Sequence, residues 1–149
     1  MTKQSVFSKK KALAIVFAAA AALLLFIFLR SPGQEQPDLR TPEGRQMFLS
    51  QLGWEIDPDS ESRKTVRIPE TLEGMMLEYN EMQKKQGYDL SAHCGESCEQ
   101  YIYNLTNYPA KDETVLVTLY VQGKKLIAAD IHSTSMNGFM HGIQKSEGK

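Results

Sequence analysis

Residues 93–98 read His93-Cys94-Gly95-Glu96-Ser97-Cys98 and hold both cysteines of the chain and one of its three histidines. Cysteines four apart cannot bridge in an extended strand, where their Cα atoms would stand ~13 Å apart. In a turn of helix or a tight loop they approach to ~6 Å, and Gly95 permits such a turn. Two readings of the pair stand side by side. One is a Cys94–Cys98 disulfide, which would stiffen its own small loop more than the domain. The other is two unpaired thiols. A redox-active pair is disfavoured, because catalytic dithiols are usually separated by two residues and these by three.

Other chemistry is available only as residue types. A metal site drawn from His93, Cys94 and Cys98 would need His132 or His141 as a fourth ligand. The local spacing matches no standard zinc pattern, so no metal and no cofactor is assigned. A thiol or serine hydrolase needs a nucleophile, a base and an oxyanion site. Cys94, Asp130, His132 and His141 supply such groups, but nothing in their spacing joins them. A polar site of His93, Asp130, His132 and His141 is the constellation on offer. Tyr101 and Tyr103, with Tyr120 on a later strand, form a candidate aromatic recognition surface, since tyrosine combines contact area with a hydroxyl. The plainer reading is sheet core with tyrosines at its rim.

The elements that must position these groups follow from pattern. Thr41-Pro42-Glu43 is a helix start, with an N-cap hydroxyl, proline at the first helical position and an acid in the first turn. Met47, Phe48 and Leu52 give that helix an apolar face, and Gly53 stops it. Trp54–Ile56 and Thr65–Ile68 are short strands that could pair across the polar loop between them. Glu70–Gln86 is the strongest helix of the soluble part, with Leu72, Met75, Met76, Tyr79 and Met82 recurring at three- and four-residue spacing. Its methionines could form a soft docking groove, but a core-facing stripe is preferred. Gly87 ends it. Strands follow at about 99–107, 113–121 and 125–132, the last two joined through Gly123. Pairing Val121 with Lys125 sets Val115, Val117 and Leu119 opposite Ile131, Ala129 and Ile127 on one face. The other face then carries Leu116, Thr118, Tyr120, Leu126, Asp130 and His132. It is mixed, so half covered or open to a partner. Phe139 and Ile143 anchor the tail.

Ahead of all this lies the apolar run Ala12–Leu29, preceded by Lys9-Lys10-Lys11 and closed by Arg30. About 18 residues at ~1.5 Å each span ~27 Å, close to the ~30 Å of a hydrocarbon core. Residues 1–30 carry five bases and no acid, while residues 31–149 carry 12 bases and 18 acids, a formal −6. The lysine flank places the N-terminus in the cytoplasm and the rest outside. A cleaved signal peptide would have a shorter apolar region followed by a small-x-small site. Here bulky residues and Arg30-Ser31-Pro32 follow, so an uncleaved signal anchor is preferred. The acidic outer part repels polyanions, which argues against nucleic acid as a partner.

Several local patterns then fall into one order. They are Leu52-Gly53-Trp54-Glu55-Ile56, Tyr79-Asn80-Glu81-Met82-Gln83, Gln86-Gly87-Tyr88-Asp89-Leu90, Tyr101-Ile102-Tyr103, Asn107-Tyr108-Pro109 and Gly138-Phe139-Met140-His141-Gly142. Over about residues 41–143 the set resembles a bacterial family, mostly from Gram-positives, catalogued as domain of unknown function 4830. The resemblance implies a short N-terminal anchor joined to one small extracytoplasmic domain. It implies no established activity and no assigned catalytic residues.

The expected organisation is a basic cytoplasmic stub (1–11), a transmembrane anchor (12–29), a spacer (30–40), an extracytoplasmic domain (41–143) and a frayed tail (144–149). The fold class is α+β, with two helices on one face of an antiparallel sheet of four to five strands. The expected function is a single-pass, membrane-tethered module that contacts the bilayer through residues 12–29 and binds a protein or small ligand outside. The alternative is a small cell-surface thiol- or metal-dependent enzyme using the Cys94–Cys98 loop.

Overall fold

A computed structural model of the chain describes residues 36–110 and 112–144. The apolar run 12–29, the stub before it and most of the spacer lie outside the described residues. Among the described residues, no helix is long and apolar enough to cross a membrane.

Among the described residues, two α-helices, α1 (Pro42–Gln51) and α2 (Met75–Lys84), accompany five strands. The strands are β1 (Ser62–Arg67), β2 (Ser97–Asn104), β3 (Val115–Gln122), β4 (Lys125–Ser133) and β5 (Met140–His141). They form one antiparallel sheet in chain order, β1-β2-β3-β4-β5. The α+β class follows the binary pattern, with period-two alternation in the strands and capped amphipathic stretches for the helices.

The helix boundaries show why. Thr41 caps α1, its hydroxyl accepting from the Gly44 N–H at 3.0 Å. Both helices end on a glycine in the left-handed region, Gly53 (φ 80°) and Gly87 (φ 88°). The residue after each glycine donates back to the helix, Trp54 N–H to Leu49 O and Tyr88 N–H to Gln83 O. These paired bonds satisfy carbonyls that a helix terminus otherwise leaves open. α2 starts later than the periodicity indicates. Gly74 takes φ 53° and breaks the run, so Glu70–Glu73 lead into the helix without joining it.

One sheet face carries the main core. Tyr101, Tyr103, Val115, Val117, Leu119, Ala129 and Ile131 are buried there with Leu49 of α1, Trp54, Ile56 and Ile143. Each fully buried aliphatic side chain contributes roughly 1.5–3 kcal/mol. The opposite face carries a smaller cluster of Ile68, Leu90, Cys98, Ile127 and Ala128, against which Met76 and Tyr79 of α2 pack. The two helices therefore serve opposite faces, not the single face expected from the sequence. The cause is the alternation itself, because both faces of the central strands carry residues that need cover.

Two pairings differ from expectation. Trp54–Ile56 does not pair with the Thr65–Ile68 stretch. β1 lies on β2, and Ile56 makes one bridge to Leu105. The β3–β4 hairpin turns through Gly123-Lys124, with Gln122 opposite Lys125 and Val121 opposite Leu126. A bulge at Ile127 then sets Tyr120 opposite Ala128, Leu119 opposite Ala129 and Val117 opposite Ile131. That register is two residues from the expected one, and a shift of two keeps each side chain on its face. The bulge moves Ile127 to the smaller cluster and leaves Leu126, expected on the mixed face, in the main core. In α1, Met47 is 54 % exposed, while Arg45 and Leu49 are buried.

Candidate functional site

The second sheet face is read most simply as rows across the strands. Lys64, Gln100, Tyr120 and Ala128 make one row, Ser62, Ile102, Thr118 and Asp130 the next, and Leu116, His132 and Met140 a third. α2 spans only ten residues and covers part of this face. A cleft of about 620 Å³ remains between the helix and the sheet. Ile68 and Leu90 line it, with Met75, Met76 and Met82 from α2 and Met140 from β5. Lys64 and Glu78 also border it.

Its floor is polar and organised. Asp130 is 2 % exposed, and a carboxylate at that depth needs partners. Tyr79 donates its hydroxyl to Oδ2 at 2.7 Å, and His132 Nδ1 lies 2.7 Å from Oδ1. The bond to Asp130 raises the His132 pKa above its ordinary 6.5 and outweighs the opposing effect of burial. Burial, with the Asp130 charge, holds the Tyr79 phenol protonated far above its usual range. Gln100, 8 % exposed, donates from Nε2 to the Tyr120 hydroxyl at 2.7 Å. Its Oε1 is buried and has no hydrogen-bond partner among the described residues. A buried acceptor without a partner costs about 1–3 kcal/mol.

The sequence-predicted groups scatter. Asp130 and His132 are brought together. His93 pairs instead with Glu96 at 3.0 Å, and Gln122 donates to the same carboxylate at 2.8 Å. His141 Nε2 lies 2.8 Å from the Tyr108 hydroxyl. Its ring stacks on Tyr108 and Phe139, and Tyr108 stacks on Trp54. The Trp54, Tyr108 and His141 rings border a second cavity of about 610 Å³. Cys94 and Cys98 are free thiols. Cys98 is buried in β2, where burial raises its pKa, and Cys94 Sγ faces Leu90 O at 4.0 Å. No group of three or more histidines, cysteines and acids among the described residues could hold a metal ion.

The proposed tyrosine surface is not one surface. Tyr101 and Tyr103 are buried on the core face, whereas Tyr120 lies on the cleft face. On the core face Tyr101 and Tyr103 enclose Arg45, which is 1 % exposed. Its guanidinium sits 3.7 Å over the Tyr101 ring and donates to Tyr103 Oη (2.6 Å), Leu39 O (2.9 Å) and Glu61 Oε2 (2.7 Å). Sequence reasoning identified the mixed face, with Thr118, Tyr120, Asp130 and His132. It missed Tyr79 and Gln100 as floor residues. Their only local signals were a tyrosine within the α2 stripe and a polar residue beside the two tyrosines of β2. Of the stripe read as core-facing, Leu72, Met76 and Tyr79 pack on the smaller cluster, Met75 is exposed and borders the cleft with Met76 and Met82, and the buried residues of α2 are Asn80 and Gln83.

This is a small α+β domain, a five-stranded antiparallel meander with a helix on each face and a polar-floored cleft under the second helix. The family model described as Domain of unknown function (DUF4830) matches residues 48–131. The match spans more than half of the chain, and the chain belongs to that family. It includes Tyr79, Gln100, Thr118 and Asp130, whereas Arg45, His132 and β5 lie outside it. Neither a curated protein nor a solved structure matches the chain.

Proposed function

We propose that the chain is a membrane-tethered extracytoplasmic module that binds a small ligand in the cleft between α2 and the sheet. The observation that carries this reading is the cleft itself, with its flexible methionine border and a floor fixed by Tyr79, Asp130 and His132. Pockets of roughly 300–1,000 Å³ with apolar walls and a few convergent polar groups are the usual form of small-molecule sites. Methionine suits such a wall because it is unbranched and polarizable. Both Asp130 oxygens are engaged by Tyr79 and His132, which fixes the carboxylate at the floor of the cleft. The apolar run at 12–29 and its lysine flank support the tether and its orientation.

The native methionines supply the test. In the full chain in lipid nanodiscs, with methionine methyl groups carbon-13 labelled, small-molecule fragments should shift the signals of Met75, Met76, Met82 and Met140. Met47, at the other helix, should stay in place. Fragments that bind only elsewhere, or a library that moves none of the four, would remove the reading.

A further inference from the structure

We propose that Tyr79, Asp130 and His132 form a proton-controlled latch that holds the first half of α2 over the cleft, so that the cleft opens as His132 loses its proton. The inference rests on the cleft being a ligand site only for what the latch regulates, and the latch itself can be read with no ligand present.

α2 is held unevenly. Its second half is pinned by two buried side chains. Asn80 donates to Asp89 Oδ1 at 2.9 Å and accepts from Leu90 N–H at 2.7 Å, and Gln83 makes two bonds to the Ala129 backbone. The first half begins at Gly74, which supplies no side-chain cap and takes φ 53°. Nothing packs where a Gly74 side chain would stand, so a hinge there meets no obstacle. Met75 and Leu77 of the first turn are 85 % and 49 % exposed. What draws this half to the floor of the cleft is Tyr79, whose hydroxyl donates to Asp130 Oδ2 at 2.7 Å.

The other Asp130 oxygen lies 2.7 Å from His132 Nδ1, and the carboxylate is 2 % exposed. A protonated ring makes this a buried ion pair. A neutral ring leaves a buried charge held by hydrogen bonds alone. The other charged groups around the cleft do not replace the imidazolium. Lys64 is exposed on β1, three strands away, about 14 Å at ~4.8 Å per strand. Glu78 is exposed on α2 and negative. Tyr120 on β3 is a phenol bound by Gln100, and Glu113 is bound to the Ser133 hydroxyl. Met140, the strand partner of His132 on β5, carries no charge. The bond to Asp130 raises the His132 pKa above 6.5. Its support is therefore complete below about 6.5 and is lost as pH rises through the higher folded value. Lifting the Met75–Tyr79 turn about Gly74 then lets water reach the carboxylate. The same movement widens the cleft that Met75, Met76 and Glu78 border.

The test follows the methionine methyl signals and the His132 ring through a pH titration of the full chain in nanodiscs, with no ligand added. Met140 reports the ring charge itself and should titrate with His132 in wild type and in Tyr79→Phe. In wild type, Met76 should share that midpoint, above 6.5, and a soluble gadolinium chelate should relax its methyl faster on the alkaline side. In Tyr79→Phe, His132 should keep its midpoint while Met76 loses its response. In Asp130→Asn, the ring should titrate near its ordinary 6.5 and Met76 should again stay fixed. A Met76 response that survives Tyr79→Phe unchanged is the field of the ring and not a movement, and would overturn the latch. So would a Met76 signal that stays fixed while His132 titrates in wild type. If neither variant folds, the chelate decides on wild type alone, and equal relaxation of Met76 on both sides of the midpoint overturns the proposal. Met76 following His132 in a protein whose cleft takes no fragment would support the latch and remove only the ligand reading.

Discussion

Arg45 shows how much a single residue can carry. A guanidinium removed from water needs partners, and here Tyr103, Leu39 and Glu61 each accept from it while Tyr101 offers its ring face. Arg45→Met should cost about 3 kcal/mol in urea unfolding, because it leaves Glu61 and Tyr103 facing a gap. Burial pushes the Glu61 carboxyl up, but hydrogen bonds from Tyr103 and Arg45 more than offset this and hold it below its ordinary 4.5. A depressed carboxylate stabilises the fold above 4.5, and that contribution is lost as pH falls through the lower folded value. Wild type should therefore lose stability below about pH 4.5 more steeply than Arg45→Met. Parallel pH profiles would show that the pair does not produce this slope. The cysteines give a second residue-scale expectation. Without reductant, the denatured chain should take up one maleimide on each of Cys94 and Cys98 by mass spectrometry. In the native chain half-exposed Cys94 should react well before buried Cys98. A denatured chain that takes no maleimide until reduced would restore the disulfide.

At the scale of elements, the free edge of β4 is the informative place. β5 is two residues long and covers only Ile131 and His132. Ala129 would otherwise present an open N–H and C=O toward α2. Gln83, fully buried, closes that edge as a short strand would. Its Oε1 accepts from Ala129 N–H at 3.0 Å and its Nε2 donates to Ala129 O at 2.9 Å. Gln86 adds a bond to Ala129 O and accepts from Ile143 N–H at 2.7 Å, tying the tail to the same edge. Gln83→Met keeps the volume and strands the Ala129 N–H, so it should cost about 2 kcal/mol by chemical denaturation. Native-state hydrogen exchange should show faster loss of protection at Ala129 than at Val117 in the middle of the sheet. A loss under 0.5 kcal/mol, by the same principle, would mean that water replaces the amide at no cost. Both glutamines lie within the Glu70–Gln86 stretch that the sequence reads as one helix. Their purpose was invisible there, because a polar residue at a helix position reads as solvent-facing until its partner edge is known.

At the scale of the whole molecule, the orientation we propose predicts a simple outcome in intact cells. External protease should digest a tag placed after Lys149 and spare one placed before Met1, and permeabilised cells should lose both. Protection of the C-terminal tag in intact cells would reverse the assignment of sides. The charge split supports the same arrangement, with a basic segment through Arg30 and an acidic remainder.

Local chemistry determined what could be read from the chain alone. The helix N-cap at Thr41, the stops at Gly53 and Gly87, the β-branched strand after Thr114 and the Gly123 turn are each set by a few adjacent residues. So is the parity that placed Thr118, Tyr120, Asp130 and His132 on one face, because strand alternation survives a two-residue shift in register. Tertiary structure alone decided which face each helix covers, that Arg45 is buried while Met47 is not, and that His93, His132 and His141 have separate partners. It also decided the cleft. Tyr79, Gln100 and Asp130 lie 21 and 30 positions apart in the chain, and only the sheet order and the shortness of α2 bring them around one cavity. Such a site leaves no spacing to read, because its geometry belongs to packing between elements and not to any one of them.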